Sequence, residues 1–563
     1  MATPSRVSRA AGAGALQKEG VLGEAVIPAA EPEQQLRRAV GPWGSYTWGY
    51  ADVGADIYVA LGLVIATAEG AANVAFLFAG LIYVTVGLAY TELSAMYPLA
   101  GGGQLWVMRG LGDIWGFTAG WSVLLAFTVD IALFAYISIS YLNRLLPSGV
   151  NQLPWTVIEA IVLVVLLLTL NTVGVRESSR LNEIAGGIDV LAESTLIFIG
   201  FFFAFRPSYY WHQTTQFFMH FDTSHLLLGI SLAIISFVGL ESISQAAQET
   251  ERPTTIIPRT SVALILTILA YAIALSNLSL GLMPWQSFDP SSVHATFHPY
   301  DCAHLTASAC KSVHLAHENA PMIWLAQHLP TIGVYLAPVI AVLGTTLLMI
   351  SSNSGVYGSS RIVYSMARND LMPKFFTFVD KRFQTPLIAL AVFCGIAVLE
   401  LIASGFTPNA LQSLAEMYAF SAAVNYLLVF VALLRLRFTD PDTPRAFRVP
   451  WNIGVSRGDE VYQVPLVGVI GLISLFAVLV MVILTNPIGR VAGPIWVVAG
   501  LLFYYGYRRS RKLPILGSIP RDWAKQQIDV YRESGESGLA DEYQEALRRR
   551  EKREKGRPPE SPS

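Results

Sequence analysis

Two apolar stretches interrupted by glycine and acid decide the fold. They read Trp48-Gly49-Tyr50-Ala51-Asp52-Val53-Gly54-Ala55-Asp56-Ile57-Tyr58 and Ser236-Phe237-Val238-Gly239-Leu240-Glu241-Ser242. Each lies in a run of roughly 20 apolar residues, long enough to cross a ~30 Å hydrocarbon layer as a helix. Irregular backbone at that depth persists where it is buried in protein or lines a cavity. One stretch opens the first span and the other lies in the sixth, five helices later. Interrupted segments at matching places of two halves point to inverted-repeat transporters and to their binding site.

The rest of the chain agrees with a membrane protein. Of 563 residues, 53% are hydrophobic and 14% charged, against about 25% charged in a soluble domain. The mean hydropathy is +0.48. This argues against a soluble enzyme, and a net charge of −2 argues against a nucleic-acid partner. Twelve spans are expected, at 47–68, 71–96, 114–142, 154–173, 183–205, 226–247, 260–282, 333–357, 386–404, 411–434, 464–485 and 489–507. Residues 1–43 have no apolar core of a cleavable signal and read as a disordered N-tail. Residues 508–563 form a charged C-tail. Its run Arg508-Arg509-Ser510-Arg511-Lys512 is expected at anionic lipid headgroups. Within the tail, 541–555 reads as a mixed-charge helix, either solvated or regulatory.

Orientation follows from Lys and Arg. With the N-terminus inside, the inner segments before the C-tail hold 20 of the 38, the outer loops four (Arg144, Arg206, Lys311, Arg490) and the C-tail 14. Both termini are therefore expected in the cytoplasm, in a multi-pass protein of the plasma membrane. The nine histidines all lie in or beside the two long outer loops. Any proton step inside the membrane must then use carboxylates.

Six carboxylates lie well inside the expected spans: Asp52, Asp56, Asp130, Asp189, Glu193 and Glu241. Each costs about 2.5–3.5 kcal/mol at a helix centre even on lenient insertion scales. Such a residue is protonated, paired or in contact with water. Asp52 and Asp56 are spaced i, i+4, as are Asp189 and Glu193, so one helical face presents each pair. A pair of this kind shares a proton or binds a cation. Against this stands the simpler reading that some sit at the aqueous ends. Ser351, Ser352, Asn353 and Ser354 read either as sodium ligands or as helix–helix glue. Gly116 and Gly120 read as a close-packing pair. Trp48, Tyr50, Tyr58 and Phe237 either line a pocket, where cation–π contact suits an ammonium group, or pack the core. Cys302 and Cys310 in the 283–332 loop read as a disulfide on the oxidising side; no metal site and no cofactor are expected.

The chain resembles the amino acid–polyamine–organocation permease superfamily over about residues 45–435. The first stretch is similar to that family's first-helix motif, Gly-x-Gly before Ile-Tyr/Phe-Val. Tyr90-Thr91-Glu92-Leu93-Ser94-Ala95-Met96-Tyr97-Pro98, Gly101-Gly102-Gly103 and Gly116 to Trp121 resemble its second-to-third helix region. Gly239-Leu240-Glu241 through Glu249, Pro253, Pro258 and Arg259 resemble its sixth helix and the loop that follows. Asn353, Gly358, Arg361, Met366 to Asp370 and Pro373 resemble its eighth. The resemblance implies an all-α fold with a five-plus-five inverted repeat (about 45–205 and 224–435). It also implies two added helices (about 464–507) and alternating access around helices one and six.

Three departures carry chemistry. Gly54-Ala55-Asp56 replaces Gly-x-Gly, where relatives hold a substrate carboxylate on free amides. An ionised aspartate there would repel a carboxylate and suits a cation or a proton. Asp189 stands where some proton-coupled relatives place a lysine. Asp130 lies one turn beyond Ala126, where the family's third helix often has an acid. Glu241 has acidic counterparts in many relatives, potassium–proton symporters included.

The expectation is a secondary active transporter, a permease for an amino acid, polyamine or organic cation, driven by protons. Gly54, Ala55, Asp56, Tyr58, Phe237, Gly239 and Glu241 are expected to bind the solute. Asp52, Asp130, Asp189 and Glu193 are expected to couple it to H+. The alternatives are a potassium–proton symporter and a non-transporting sensor that signals through the C-tail. A membrane enzyme is not expected: Gly-x-Ser-x-Gly, His-Glu-x-x-His and a phosphate loop are all missing from the sequence. The substrate and the oligomeric state are not encoded in these patterns.

Overall fold

The computed structural model describes residues 40–99, 101–146, 155–173, 178–239, 241–245, 247, 250–288, 310, 313–314, 317–380, 385–406, 410–457 and 460–555. The expected N-tail and Cys302 lie outside them. The described chain is almost entirely helical. The first segment comprises α1 (Pro42–Val53) and α2 (Ala55–Ala68), followed by α3 (Ala72–Met96), α4 (Gly102–Leu111) and α5 (Asp113–Leu142). Then come α6 (Trp155–Val173), α7 (Ser178–Ile199), α8 (Pro207–Met219), α9 (Thr223–Ala233), α10 (Glu241–Gln245) and α11 (Pro253–Leu282). The second half continues with α12 (Pro321–Gln327), α13 (Gly333–Arg368), α14 (Leu387–Gly405), α15 (Ala410–Thr439), α16 (Leu466–Thr485) and α17 (Gly489–Ser510). Two helices close the chain, α18 (Trp523–Glu533) and α19 (Ser537–Lys555).

Among the described residues, ten segments are long and apolar enough to cross a membrane, the first of them Pro42–Met96. The burial pattern explains their arrangement. α2 and α5 are apolar on every side and buried almost throughout, so they form the centre. α6 and α16 are as apolar but expose large side chains such as Leu166, Leu170, Ile473 and Leu484, and the more mixed α7 exposes Leu191 and Phe198. A surface of that composition is stable against lipid and not against water. α17 is more mixed. It is fixed to α5 by a reciprocal pair: Trp121 Nε1 donates to the Trp496 carbonyl and Trp496 Nε1 to the Trp121 carbonyl, both at 2.8 Å. Gly116 and Gly120 serve close packing as expected. A Cβ at either would fall 2.4 Å from Met108 Cβ or 2.6 Å from Met366 Sδ.

Two regions differ from expectation. The connection 436–463 contains an antiparallel hairpin, β1 (Asn452–Arg457) with β2 (Glu460–Pro465), in register from Asn452↔Pro465 to Arg457↔Glu460. It is anchored by buried Glu92 of the resemblance motif, which takes Arg437 at 2.5 Å, Arg445 at 3.4 Å and the Val449 amide at 2.7 Å.

The first part of the C-tail is folded onto the helix ends, while the expected mixed-charge helix at 541–555 lies in α19 and is largely exposed. Gln527 Nε2 and the Tyr531 hydroxyl both donate to the Met96 carbonyl, at 2.9 and 3.0 Å. Arg521 reaches Asp113 at 2.6 Å and the Asn369 carbonyl at 2.8 Å. Arg508 is not at a headgroup: it is fully buried and bonds Asp113 at 2.5 Å. Removing one member of such a buried pair costs about 3–5 kcal/mol. Nearby, burial pushes the Asp440 carboxyl up, but Arg109 at 2.7 Å and the Thr443 and Tyr97 hydroxyls outweigh it, so it ends below the usual carboxylate range.

Candidate functional site

The first interruption is slight. Only Gly54 stands between α1 and α2, its torsions are right-handed helical (φ −66°, ψ −34°), and its amide donates to the Tyr50 carbonyl at 2.7 Å. The expected unwound stretch at 48–58 is therefore a single-residue irregularity, and the Gly54 amide is already bonded. The sixth interruption is a real opening. α9 tightens into a 3₁₀ turn over Ile234–Phe237, Val238 is extended (φ −86°, ψ 161°) and Gly239 has φ +110° before α10 begins. A side chain at Gly239 is disfavoured by that torsion and by space, with Val53 Cγ2 3.0 Å and Asp52 Oδ2 3.1 Å from a Cβ there. Helix one thus lies directly against the opening in helix six.

The structure sorts the six carboxylates into two groups. Asp52, Asp56, Asp130 and Glu241 are all buried and interact electrostatically with one another. Asp52 accepts from Ser351 Oγ at 3.3 Å and Ser354 Oγ at 2.5 Å. Asp130 bonds the Tyr418 hydroxyl. Glu241 folds back onto its own break: its Oε2 accepts from the Gly239 amide at 3.1 Å and the Tyr426 hydroxyl at 3.2 Å. Asn425 Nδ2 donates to Oε1 at 3.4 Å, and the Tyr90 hydroxyl bonds the same carboxylate. Asp56 is different. One oxygen meets the Val238 backbone, and Oδ2 has no partner among the described residues. No lysine or arginine is paired with any of the four among the described residues.

Asp189 and Glu193 stand apart, held by tyrosines of the first segment. Tyr50 Oη lies 3.1 Å from Asp189 Oδ2 and 2.7 Å from Glu193 Oε2, and Tyr58 Oη contacts Asp189 Oδ1. Tyr58 therefore serves the pair rather than the quartet. Phe237 stacks on Tyr83 at 5.0 Å between ring centroids. Of the serine cluster, Ser351 and Ser354 serve Asp52. Ser352 bonds the Ile131 carbonyl at 2.9 Å, and Asn353 takes Asn171 at 2.6 Å. Cys310 is described and buried, with Sγ 3.6 Å from His314 Nε2; its expected partner Cys302 lies outside the described residues.

Two groups escaped the sequence reading. Glu400 in α14 is half-buried, accepts from Thr128 at 2.9 Å and has no partner for its buried Oε2 among the described residues. It sits in the apolar run Cys394–Ser404, so the rule applied to the other six would have found it. Asn425 and Tyr426 lie in an equally apolar run and supply half of the donors to Glu241.

A bundle of lipid-exposed apolar helices around buried carboxylates at a helix opening is the architecture of a multi-pass membrane transporter. Comparison with known proteins agrees. The model of the amino acid permease family matches residues 47–505, and the chain belongs to that family. It is a transporter and not an enzyme. It is similar to the branched-chain amino acid permease BcaP of Bacillus subtilis (strain 168), at 25% identity over 86% of this chain and 96% of that one. Similarity to cationic amino acid transporter 4 of Mus musculus is 27%, over 73% of this chain and 62% of the relative. The methylthioribose transporter of Bacillus subtilis (strain 168) is 23% identical over 82% and 91%.

Proposed function

We propose that the chain is a proton-coupled permease for an amino acid or a related amino-group-bearing solute. It spans the plasma membrane with twelve helices, five plus five in inverted repeat and two more, with both termini in the cytoplasm and lipid around it. The observation that carries the reading is the buried quartet Asp52, Asp56, Asp130 and Glu241, with Asp56 Oδ2 unpartnered at the opening of helix six. A positive group is the natural guest of several carboxylates with no cation among them. The relatives named for branched-chain and for cationic amino acids support an amino-acid solute.

Proton coupling rests on a count. Asp189 and Glu193 make three contacts with tyrosine hydroxyls that bring two protons between them. A third proton on the pair completes the set. Release of that proton leaves Tyr50 one proton for two carboxylates, so one of its two contacts is lost while Tyr58 stays bonded; Tyr50 precedes Gly54 in the first segment, so the pair is linked to the first helix. The test is uptake of labelled amino acids into liposomes holding the purified protein. Uptake is expected to rise with an inward proton gradient and to disappear in Asp56→Asn. Equal uptake with and without the gradient defeats the coupling.

The all-oxygen character of the quartet favours one second reading, potassium–proton symport. Rubidium flux that unlabelled amino acids leave untouched would establish it and displace the first.

A further inference from the structure

Beside the opening of helix six lies a small cavity that shares Glu241 with the quartet and is otherwise lined by residues the transport reading does not use. It is lined by the run 101–104, by Glu241, Ser244 and Asn425, and by the apolar Val123 and Ile362. It has room for a single water or a single small ion. Three consecutive glycines create the space. A Cβ on Gly102 would stand 2.5 Å from Ser244 Oγ, one on Gly101 3.3 Å from Gln104 Oε1, and one on Gly103 3.5 Å from Asn425 Oδ1.

These oxygens offer lone pairs. Asn425 Nδ2 is engaged by the Tyr90 hydroxyl at 3.1 Å and by Glu241 at 3.4 Å, which fixes the amide orientation. Its Oδ1 is left buried without a donor among the described residues, in a side chain 1% exposed. The Ser244 hydroxyl gives its proton to the Glu241 carbonyl at 2.7 Å, so its oxygen is free to accept. Gln104 Oε1 has one long contact, Ser365 Oγ at 3.4 Å. A buried acceptor without a donor costs about 1–3 kcal/mol, so a guest that satisfies several at once is favoured.

We propose that this cavity is a binding site for one monovalent alkali cation. Hard oxygen ligands, one carboxylate charge and space for one small ion describe such a guest. The ligands come from α4, α10 and α15, so the ion ties the glycine run and α15 to the lower half of helix six. The proposal does not rest on proton coupling.

The test is equilibrium binding of ²²Na⁺ and ⁸⁶Rb⁺ to the purified full-length protein, with melting temperatures in sodium, potassium and choline chloride at equal ionic strength. One saturable site per chain is expected, with a higher melting temperature in an alkali salt than in choline. Asn425→Leu and Gly103→Ala are expected to weaken binding at least about tenfold. Asn425→Asp adds a charge and is expected to tighten it, a change of opposite sign that misfolding does not imitate. No saturable binding, or identical melting in all three salts, overturns the proposal and leaves the cavity to a water. Binding that survives both Asn425→Leu and Gly103→Ala overturns it as well. pH-driven uptake in choline-only buffer reports on the proton-coupled reading separately.

Discussion

The two interruptions share a composition of glycine beside acid and behave differently. At Gly54 the chain stays helical, and the glycine is required by crowding: a Cβ would lie 2.5 Å from the Tyr50 carbonyl and 3.1 Å from its ring. At Gly239 the chain opens, and the glycine is required by its torsion as well. The acids divide accordingly. An open backbone at membrane depth needs its polar groups satisfied, and Glu241 does this for Gly239. Asp56 meets the Val238 backbone with one oxygen, and helix one needs nothing from the other, so Oδ2 has no partner among the described residues. In the proposed reading Glu241 holds the opening and Asp56 meets the guest.

The largest effect is expected at Gly239. Gly239→Ala meets a positive φ, about 1–3 kcal/mol for a residue other than glycine. It also brings a contact near 3.0 Å with Val53 of the facing helix. A loss of stability of about 2–5 kcal/mol and of all uptake is predicted, read by thermal melting and liposome assay. Near-normal melting would mean that the opening is not fixed by this residue. Second are the paired variants Glu241→Gln and Asp56→Asn. Glu241→Gln weakens charge-assisted bonds from an amide and hydroxyls, at about 1.5–3 kcal/mol for a hydrogen bond to a charged group. Asp56→Asn is predicted to change stability by less than about 1 kcal/mol and to abolish uptake. If the two variants exchange these profiles, the division of roles is wrong.

How much of this was legible can be judged residue by residue. The spans and the six carboxylates follow from cost, because an acid in an apolar run stands out. The i, i+4 spacing of Asp189 and Glu193 also foretold their pairing. What joins them is Tyr50 and Tyr58, about 130 or more residues away in sequence, and no local pattern encodes such a contact. The same limit applies to Arg508. A basic residue after an apolar helix signals a headgroup, and only the fold brings Asp113 to it. The torsion of Gly54 is likewise invisible, since glycine permits both the opened and the helical form. Glu400 was legible and passed over.

A smaller effect is expected at the far end of the first segment. There Gly62 of α2 packs against the chain before α12: a Cβ would lie 2.3 Å from the Glu318 carbonyl. Beside it His317 is buried, stacks on Trp324 at 3.6 Å and contacts the Ser287 carbonyl at 3.1 Å. Burial, together with Arg144, His314 and His328 nearby, pushes its pKa down to about 3 despite the bond to Ser287. The folded protein therefore holds this imidazole neutral where the unfolded chain, near 6.5, takes up a proton. Stability from this group is complete above pH 6.5 and falls as the pH drops toward 3, by at most about 1.4 kcal/mol per unit. Between pH 6.5 and 5 a loss of up to about 2 kcal/mol is predicted, with His317→Gln flattening the slope. A variant that keeps the full slope would place the titration elsewhere.

The smallest effect is expected at Gly54, and it sharpens the contrast most. Because its torsions are helical, Gly54→Ala meets no penalty from φ and ψ. What remains is overpacking against the Tyr50 carbonyl and ring, roughly 1–3 kcal/mol. The ring cannot move freely, since its hydroxyl is bound between Asp189 and Glu193. A methyl group at Gly54 therefore pushes on the carboxylate pair. The prediction is a modest fall in melting temperature, less than for Gly239→Ala, with a clear shift in the pH dependence of uptake. A variant with unchanged pH dependence and full uptake would sever Gly54 from the pair. It would leave helix six as the one interruption that matters.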